Sequence, residues 1–292
     1  MTEKLEHRVL IIPDVHCRVF WKADIERFRN EIESGSIEVV FMGDYLDPYG
    51  FEQEEGLAET VEKGIEMLEE IIEFAKKHKN VHLLLGNHDF HYFDDEYAKH
   101  IYLCRYCTHF AEKIKSLFRD NKDVFSLAWD CFIDDTLVLF THAGVLKGWV
   151  DMCFEGNTIK RPDADFMNNL LETGNVLPLA MIGPDRGGRA FSVGSPIWAD
   201  YQEHIYGWLL EKTPDRRKQI VYKDKIYQIF AHNLSEPGCY PESLDNYEIN
   251  EHFAMLDARK SFILEPDGIS AVDRKHNKKC HFVLKSQESE DK

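Results

Sequence analysis

Four short apolar runs, each leading directly into aspartate, histidine or asparagine, constrain the fold of this chain more than any other feature. The runs cover residues 8–13, 37–43, 81–86 and 136–144. They are rich in leucine and β-branched residues and end in turn or polar residues, a pattern typical of buried strands. The sequence therefore predicts at least four strands with polar side chains at their ends.

Helical periodicity lies between these predicted strands. Apolar residues spaced by three and four predict an amphipathic helix over residues 57–75, and similar patterns predict helices over 94–118 and 21–32. Strands that alternate with helices favour an α/β layered core with mostly parallel strands and right-handed crossovers. Further strands are predicted at 225–231, 253–258, 269–274 and 281–285, where the short spacing suggests antiparallel hairpins.

The chain is interpreted as one domain with an insertion. We expect a single catalytic domain over residues 1–285, a loop-and-helix insertion rich in glycine and proline at about 147–200, and a polar tail at 286–292. The length of 292 residues is sufficient for a large hydrophobic core.

Charge and composition exclude several classes of function. The formal net charge of −17 disfavours stable binding to nucleic acid or to an anionic membrane. The apolar runs are far shorter than the roughly 20 residues that a membrane-spanning helix needs, and residues 1–8 carry charges of both signs rather than a secretory signal. Seven cysteines, an odd number, predict reduced thiols, so we expect a cytoplasmic protein.

One pair of cysteines has a spacing used in metal and redox sites. Cys104 and Cys107 form a single C-x-x-C with His109 nearby. This would be half of a zinc site or a redox pair, but no second pair supplies the missing ligands. We expect instead two half-buried thiols one turn apart on a helix.

The residues after the predicted strands offer a mixed set of metal ligands. Alone, an aspartate after a strand is usually a turn or cap residue, and a lone histidine is usually structural. The joint pattern is more specific, because ligands bind outside the carboxyl ends of strands in open α/β sheets. Carboxylate, imidazole and amide donors together suit borderline divalent ions. The candidate ligands are Asp14, His16, Asp44, Asn87, His142 and His232.

The motifs D-x-H, G-D-x-x-D, G-N-H-D, H-A-G and A-H-N, in this order, resemble those of the calcineurin-like metallophosphoesterases. Within that family they are most similar to serine/threonine protein phosphatases of the phosphoprotein phosphatase type. The resemblance covers about residues 8–258, and residues 195–200 (S-P-I-W-A-D) are similar to the L-W-S-D stretch of those phosphatases.

The resemblance implies a four-layer α-β-β-α sandwich with mixed sheets and a centre of two divalent ions, manganese, iron or zinc. Asp14 and His16 would hold the first ion, Asp44 would bridge, and Asn87, His142 and His232 would hold the second. His88 would protonate the leaving group and Asp47 would orient it. Asp89 occupies the position after this histidine, where the family usually has an acidic residue.

Three departures from the family pattern affect the site. Pro48 follows Asp47 where the family has an arginine that binds phosphate. Arg186 and Arg189 are the candidates to replace it, with Arg161 a weaker third, although a solvated basic loop explains them equally well. Cys17 stands where protein phosphatases usually have glycine, and the last motif, A-H-N-L, offers one histidine rather than the two of many phosphodiesterases.

The resemblance implies hydrolysis of phosphomonoesters by direct attack of a metal-bound hydroxide. The first expectation for the substrate is phosphoserine or phosphothreonine in a protein, or else a small phosphoester. The alternative within the superfamily is a hydrolase of nucleotides or dinucleoside polyphosphates. A non-catalytic scaffold is a third reading, and the presence of all six candidate ligands and His88 argues against it.

Overall fold

The computed structural model describes residues 8–48, 61–103, 105–154, 162–204, 226–232, 247–250 and 253–272. In this part of the chain, two mixed β-sheets stack face to face and helices cover their outer faces. The predicted four-layer α-β-β-α sandwich is confirmed.

The first sheet has the strand order β11-β10-β1-β2-β3-β4. Strands β1 to β4 are parallel, whereas β10 and β11 form an antiparallel hairpin beside β1. The strands of this sheet are β1 (Arg8–Ile12), β2 (Ile37–Phe41), β3 (Val81–Leu84), β4 (Phe125–Ser126), β10 (Phe262–Glu265) and β11 (Gly268–Ala271).

The second sheet has the order β5-β6-β7-β9-β8. Its centre is parallel, because β7 pairs with β6 on one side and with β9 on the other in parallel register. Strands β5 and β8 close its edges in antiparallel pairing. The strands are β5 (Ala128–Ile133), β6 (Thr136–Thr141), β7 (Ile226–Phe230), β8 (Glu248–Ile249) and β9 (Phe253–Met255).

Helices flank both sheets, with α2 packed on β2, α3 on β3 and α8 on β5. In α3 the apolar Ile65, Leu68 and Ile72 are buried, as the predicted amphipathic pattern requires. The helices are α1 (Phe20–Arg27), α2 (Arg29–Ser34), α3 (Val61–Lys77), α4 (Asn87–Phe93), α5 (Asp95–Ala98), α6 (Ala111–Asp120), α7 (Lys147–Cys153) and α8 (Ala164–Glu172). No helix in the described ranges is both long enough and apolar enough to span a bilayer.

Alternate residues of each central strand face the two sides of their sheet. On β1, Val9 and Ile11 belong to the core between the sheets, whereas Leu10 and Ile12 belong to the core beneath the helices. Strands buried on both faces carry near-continuous apolar runs, which explains why the first four runs were visible in the sequence. The sandwich thereby holds the carboxyl ends of its central strands at fixed positions.

Several sequence predictions about single elements are wrong. The helix predicted over 94–118 is two helices, α5 and α6, because residues 105–107 fold back onto α4 instead of continuing the helix. Cys107 consequently precedes the short 3₁₀ helix Thr108–Phe110 rather than lying on a helix with Cys104, which is outside the described residues. Strands β7 and β9 are parallel rather than a hairpin, and β4, β5, β8 and β10 were not predicted. The strand predicted at 281–285 lies outside the described residues.

Candidate metal centre and active site

Five strand ends bring the predicted ligands together. Asp14 and His16 follow β1, Asp44 follows β2, Asn87 follows β3, His142 follows β6 and His232 follows β7. All six residues are buried. Ligand atoms of Asp14, Asp44, His142 and His232 all lie within 4.8 Å of one another. The structure therefore assembles the predicted cluster at one edge of the sandwich.

Asp44 lies between the ligands predicted for the first ion, such as His16, and those predicted for the second, such as His142. Its Oδ2 is 3.4 Å from Nε2 of His16 and 3.5 Å from Nε2 of His142. His16 Nε2 is also 3.9 Å from Asp14 Oδ2. Because its carboxylate is at similar distances from these two histidines, Asp44 is in a position from which a carboxylate could contact two ions.

Backbone carbonyls determine which nitrogen of two histidines faces the cluster. His16 Nδ1 donates to the carbonyl of Leu46 at 2.8 Å, and His142 Nδ1 donates to the carbonyl of Met42 at 2.8 Å. Each Nε2 is then left to act as a ligand atom, which is the usual arrangement around metal-binding histidines. His142 Nε2 lies 3.2 Å from Asn87 Oδ1 and 3.0 Å from His232 Nδ1.

The donors fit divalent ions. Asp14 Oδ1 and His232 Nε2 are buried and have no hydrogen-bond partner within the protein, an unfavourable state unless another group binds them. Burial also lowers the pKa of His16 and of His232, which keeps both imidazoles neutral and able to coordinate. Two carboxylates, three imidazoles and one amide oxygen are a suitable set for manganese, iron or zinc.

The buried carboxylates and imidazoles of the cluster shift one another's pKa values. Burial raises the pKa of Asp14 well above its usual range. Although burial also opposes ionisation of Asp44, the neighbouring His142 and His88 hold the pKa of Asp44 well below its usual range. Burial opposes protonation of His142, but Asp44 and Asp14 raise its pKa to about 10. Coordination by His142 requires loss of this proton, so metal binding will compete with protons.

The backbone around the centre adopts an uncommon conformation. His16, Asp44, Asp47 and His232 have positive φ angles of 41°, 52°, 55° and 71°. For residues other than glycine such angles cost of order 1–3 kcal/mol each, and they concentrate at functional sites. Four of the eight predicted metal and catalytic residues thus carry local strain that the surrounding sandwich maintains.

Two glycines and one aspartate hold the second and third motifs together. A Cβ atom on Gly43 would lie 2.5 Å from the nitrogen of Gly86, and one on Gly86 would lie 2.1 Å from Asp44 Oδ1. Asp89 accepts hydrogen bonds from the backbone nitrogens of Asp44 (2.6 Å), Tyr45 (2.9 Å) and Gly86 (2.9 Å). This connection explains the acidic residue after His88, because the carboxylate joins the loop after β2 to the start of α4.

His88 and Asp47, the residues predicted to act as general acid and orienting carboxylate, lie side by side. His88 Nδ1 lies 3.2 Å from Asp47 Oδ2, and the His88 backbone nitrogen donates to Asp44 Oδ1 at 2.9 Å. Asp47 also accepts hydrogen bonds from His91 Nε2 at 2.9 Å and from the Tyr92 hydroxyl at 2.8 Å. Burial opposes ionisation of Asp47, yet these histidine hydrogen bonds lower its pKa, so the carboxylate stays charged.

Sequence reasoning missed three residues of this region, His91, Tyr92 and Arg105. The spacing of His91 three residues after His88 on one helix face was a usable signal. Arg105 had none, since no motif surrounds it and it lies in a segment predicted to be helical. Its Nη2 is 2.7 Å from His88 Nε2, and its Nη1 donates to the carbonyl of Asp47.

The two arginines predicted from the glycine-rich segment are in different environments. Arg186 reaches the centre, where its Nη2 donates to the carbonyl of His232 and its Nε lies 2.9 Å from Asp200 Oδ2. Arg189 is exposed on the turn that follows. Arg161 lies outside the described residues. Trp198, in the S-P-I-W-A-D segment, presents its ring edge-on to His232 with 6.0 Å between centroids.

Cys17 occupies a glycine-like position. Its φ is 63°, and its side chain is buried against α3, where a Cβ atom on Gly64 would lie 2.7 Å from the Cys17 sulfur. Burial raises the pKa of this thiol to about 12, so the thiol is protonated at neutral pH. Cys17, which replaces the usual glycine of the family, therefore has room for its side chain because the facing residue of α3 is Gly64.

The chain is similar in sequence to a known protein family and has weaker similarity to solved structures. The sequence model of calcineurin-like phosphoesterases matches residues 7–232. A protein serine/threonine phosphatase from Saccharomyces cerevisiae with similarity to human phosphatase PP5 is 15% identical, with a TM-score of 0.46 over 90% of this chain and 74% of that one. The phosphoesterase YfcE from E. coli is 10% identical, with a TM-score of 0.36 over 91% of this chain and 97% of that one. No curated protein sequence matches significantly.

Proposed function

This chain belongs to the calcineurin-like phosphoesterase family and is a hydrolase of phosphoesters, and we propose that it is a phosphatase that hydrolyses phosphomonoesters with two divalent metal ions. The observation that carries this proposal is the buried cluster of Asp14, Asp44, His142 and His232. Beside it lies a histidine with a carboxylate partner, the pair His88 and Asp47.

Six side chains would hold the ions. Asp14 and His16 would hold the first, Asn87, His142 and His232 would hold the second, and Asp44 would be shared between them, an assignment supported by the central position of Asp44. When bound, the ions lower the pKa of a shared water toward neutrality and offset the charge of the phosphoryl group. The buried cluster excludes bulk water, which strengthens these electrostatic interactions.

His88 is the proposed general acid. With Nδ1 donating to Asp47, its Nε2 is the atom that delivers a proton to the leaving oxygen of the substrate. Asp47 maintains the orientation of the ring and stabilises the protonated imidazole. The hydrogen bonds from His91 and Tyr92 keep Asp47 itself in place.

Arg186 and Arg189 are the proposed substrate-binding cations from the insertion. Arg186 is supported by its contact with the His232 carbonyl, which places a guanidinium beside a predicted metal ligand. Arg189 is supported only by its proximity in sequence, since its side chain is exposed. Both would contact phosphate oxygens or the group that carries them.

Phosphoserine or phosphothreonine in a protein is the proposed substrate, and manganese the first metal to test. The order of the motifs and the Trp198–Asp200 segment support this choice. The described cysteines Cys17, Cys107, Cys131 and Cys153 are free thiols, which supports a reducing, cytoplasmic location.

The test is turnover of p-nitrophenyl phosphate by the full chain with manganese, iron or zinc, before and after a chelator. We expect metal-dependent release of nitrophenol, and no turnover with any of the three metals would refute the proposal. A panel of phosphopeptides, nucleotides and dinucleoside polyphosphates then separates a protein phosphatase from a nucleotide hydrolase. Preferential cleavage of the nucleotides would replace the proposed substrate.

A further inference from the structure

We propose that Arg105, from the segment between α5 and α6, is a substrate-binding residue that contacts the phosphoryl group beside His88. This inference rests on the proposed phosphatase function and adds to it a cation that neither the motifs nor the insertion supplies. Arg105 is 58 residues from Asp47 in the chain, yet its guanidinium donates to the Asp47 carbonyl. Its Nη2 lies 2.7 Å from His88 Nε2.

The position of His88 determines what Arg105 can reach. A leaving oxygen that takes a proton from His88 must come within about 3 Å of its Nε2. In the structure Arg105 Nη2 donates to this nitrogen across 2.7 Å, so a leaving oxygen that takes the place of the guanidinium at Nε2 lies next to the displaced guanidinium. Guanidinium groups match phosphate oxygens in shape and charge, with paired N–H donors in one plane.

The contact with Asp47 locates Arg105 at the point where the motif lacks a cation. The carbonyl that accepts from Arg105 belongs to the peptide bond between Asp47 and Pro48. In sequence, Pro48 takes the position of the arginine that the family pattern would have there. The tertiary structure thus places the guanidinium of Arg105 next to the peptide bond of Pro48, whose own side chain has no charge.

The segment that carries Arg105 is anchored to the helix that carries His88. The Tyr106 ring stacks on the Tyr92 ring of α4 with 4.6 Å between centroids, and the Cys107 backbone nitrogen donates to the Tyr92 hydroxyl at 2.6 Å. Arg105 itself has a positive φ of 56°, a backbone conformation that is uncommon for residues other than glycine. This shared anchor brings the guanidinium and the imidazole to the same side of the site.

Arg186 is placed for a different contact. It bonds the His232 carbonyl and pairs with Asp200, whereas Arg105 contacts Asp47 and His88. Arg105 is only partly buried, so a ligand entering from solvent can reach it. A phosphoryl group between the metal ligands and His88 would therefore meet Arg105 at the side of the leaving group.

The experiment measures binding of inorganic phosphate to the manganese-loaded full chain by titration calorimetry. We compare wild type with Arg105→Ala, Arg105→Lys and, as a matched control, Arg119→Ala, whose side chain is exposed on α6. We expect phosphate to bind about 10- to 100-fold more weakly to Arg105→Ala, less weakly to Arg105→Lys, and normally to Arg119→Ala. Added guanidinium chloride should restore part of the p-nitrophenyl phosphatase activity of Arg105→Ala.

Unchanged phosphate affinity in Arg105→Ala overturns the inference. Weaker binding accompanied by loss of bound manganese overturns it as well, because the side chain would then act through the metal centre. If Arg105→Ala does not fold, a normal phosphate affinity in folded Arg105→Lys overturns it, and a reduced one supports it. Failure of the wild type to hydrolyse any phosphomonoester would refute the proposed function instead, and phosphate titration still tests Arg105 separately.

Discussion

His88 Nδ1 lies 3.2 Å from Asp47 Oδ2, and both side chains are buried beside the cluster of metal ligands. This relationship separates two tasks within one site. In the proposed function, the six candidate ligands would hold ions, whereas this pair would deliver the proton of the leaving group.

Replacing His88 with asparagine should remove the acid and leave the metal centre intact. Because a positioned general acid contributes about 10²- to 10⁴-fold, we expect kcat to fall by that factor while the bound metal measured by mass spectrometry stays unchanged. His100→Asn, on the surface of the protein, is the matched control and should be fully active. Loss of metal from His88→Asn would show that His88 is a ligand rather than an acid.

Asp44 should couple metal binding to stability. Ions that bind only the folded state stabilise it by about 2.7 kcal/mol at a concentration one hundred times Kd. We expect manganese to raise the Tm of wild type, and of Asp134→Asn on the exposed turn after β5, but not that of Asp44→Asn. A manganese-dependent rise in Asp44→Asn equal to that of wild type would contradict the bridging role.

The contact between Cys17 and Gly64 should appear as strong coupling between the two positions. Gly64→Ala improves helix propensity by about 1 kcal/mol but places a Cβ atom 2.7 Å from the Cys17 sulfur, so we expect a net loss of about 1–3 kcal/mol. Cys17→Gly suits the positive φ of 63° and makes room for alanine. Urea denaturation of both single variants and the double variant measures the coupling, and strictly additive changes would show that the contact does not matter.

Glu203 should make stability depend on pH. Burial raises its pKa from 4.5 to about 7, while its carboxylate accepts hydrogen bonds from the backbone of Gly194 and Asp200. Between these values the folded state binds a proton that the unfolded state does not, so the contribution of this group to stability falls as pH rises from 4.5 to 7. The loss is at most about 3 kcal/mol.

Glu203→Gln should remove this dependence. We expect its free energy of unfolding, measured in urea at pH 5 and pH 8, to decline less over that interval than the wild-type value. Equal declines in the two proteins would assign the pH dependence to other groups.

The acidic surface should select substrates. With a net charge of −17, the protein attracts phosphopeptides whose phosphate lies among basic residues. We expect kcat/KM at low salt to be about tenfold higher for a basic phosphopeptide than for an acidic one, and the ratio to approach one as salt screens the charges. Equal kcat/KM values for the two peptides at low salt would contradict this predicted selectivity.

The sequence patterns by themselves predicted an α/β layered core with candidate ligands at the ends of its strands, whereas the four-layer sandwich was expected from the resemblance to the family. Asp14, Asp44 and His142 each follow a buried apolar run, and such runs predict strands whose neighbours must hydrogen-bond side by side. Once the strands pair, their carboxyl ends meet, so local sequence determines which side chains gather there. The proximity of these aspartate, histidine and asparagine side chains could therefore be predicted without predicting the conformations of the loops.

Only the tertiary structure decided which residues approach that cluster from elsewhere. Arg105 reaches His88 because Tyr106 and Cys107 dock on Tyr92, and no local periodicity encodes such a contact. The same docking keeps residues 105–107 out of the helix predicted over 94–118. Edge strand β5 and hairpin strand β10 were likewise decided by pairing across the sheets. The physical reason is that strand and helix patterns repeat along the chain, whereas a loop conformation depends on whichever distant surface it packs against.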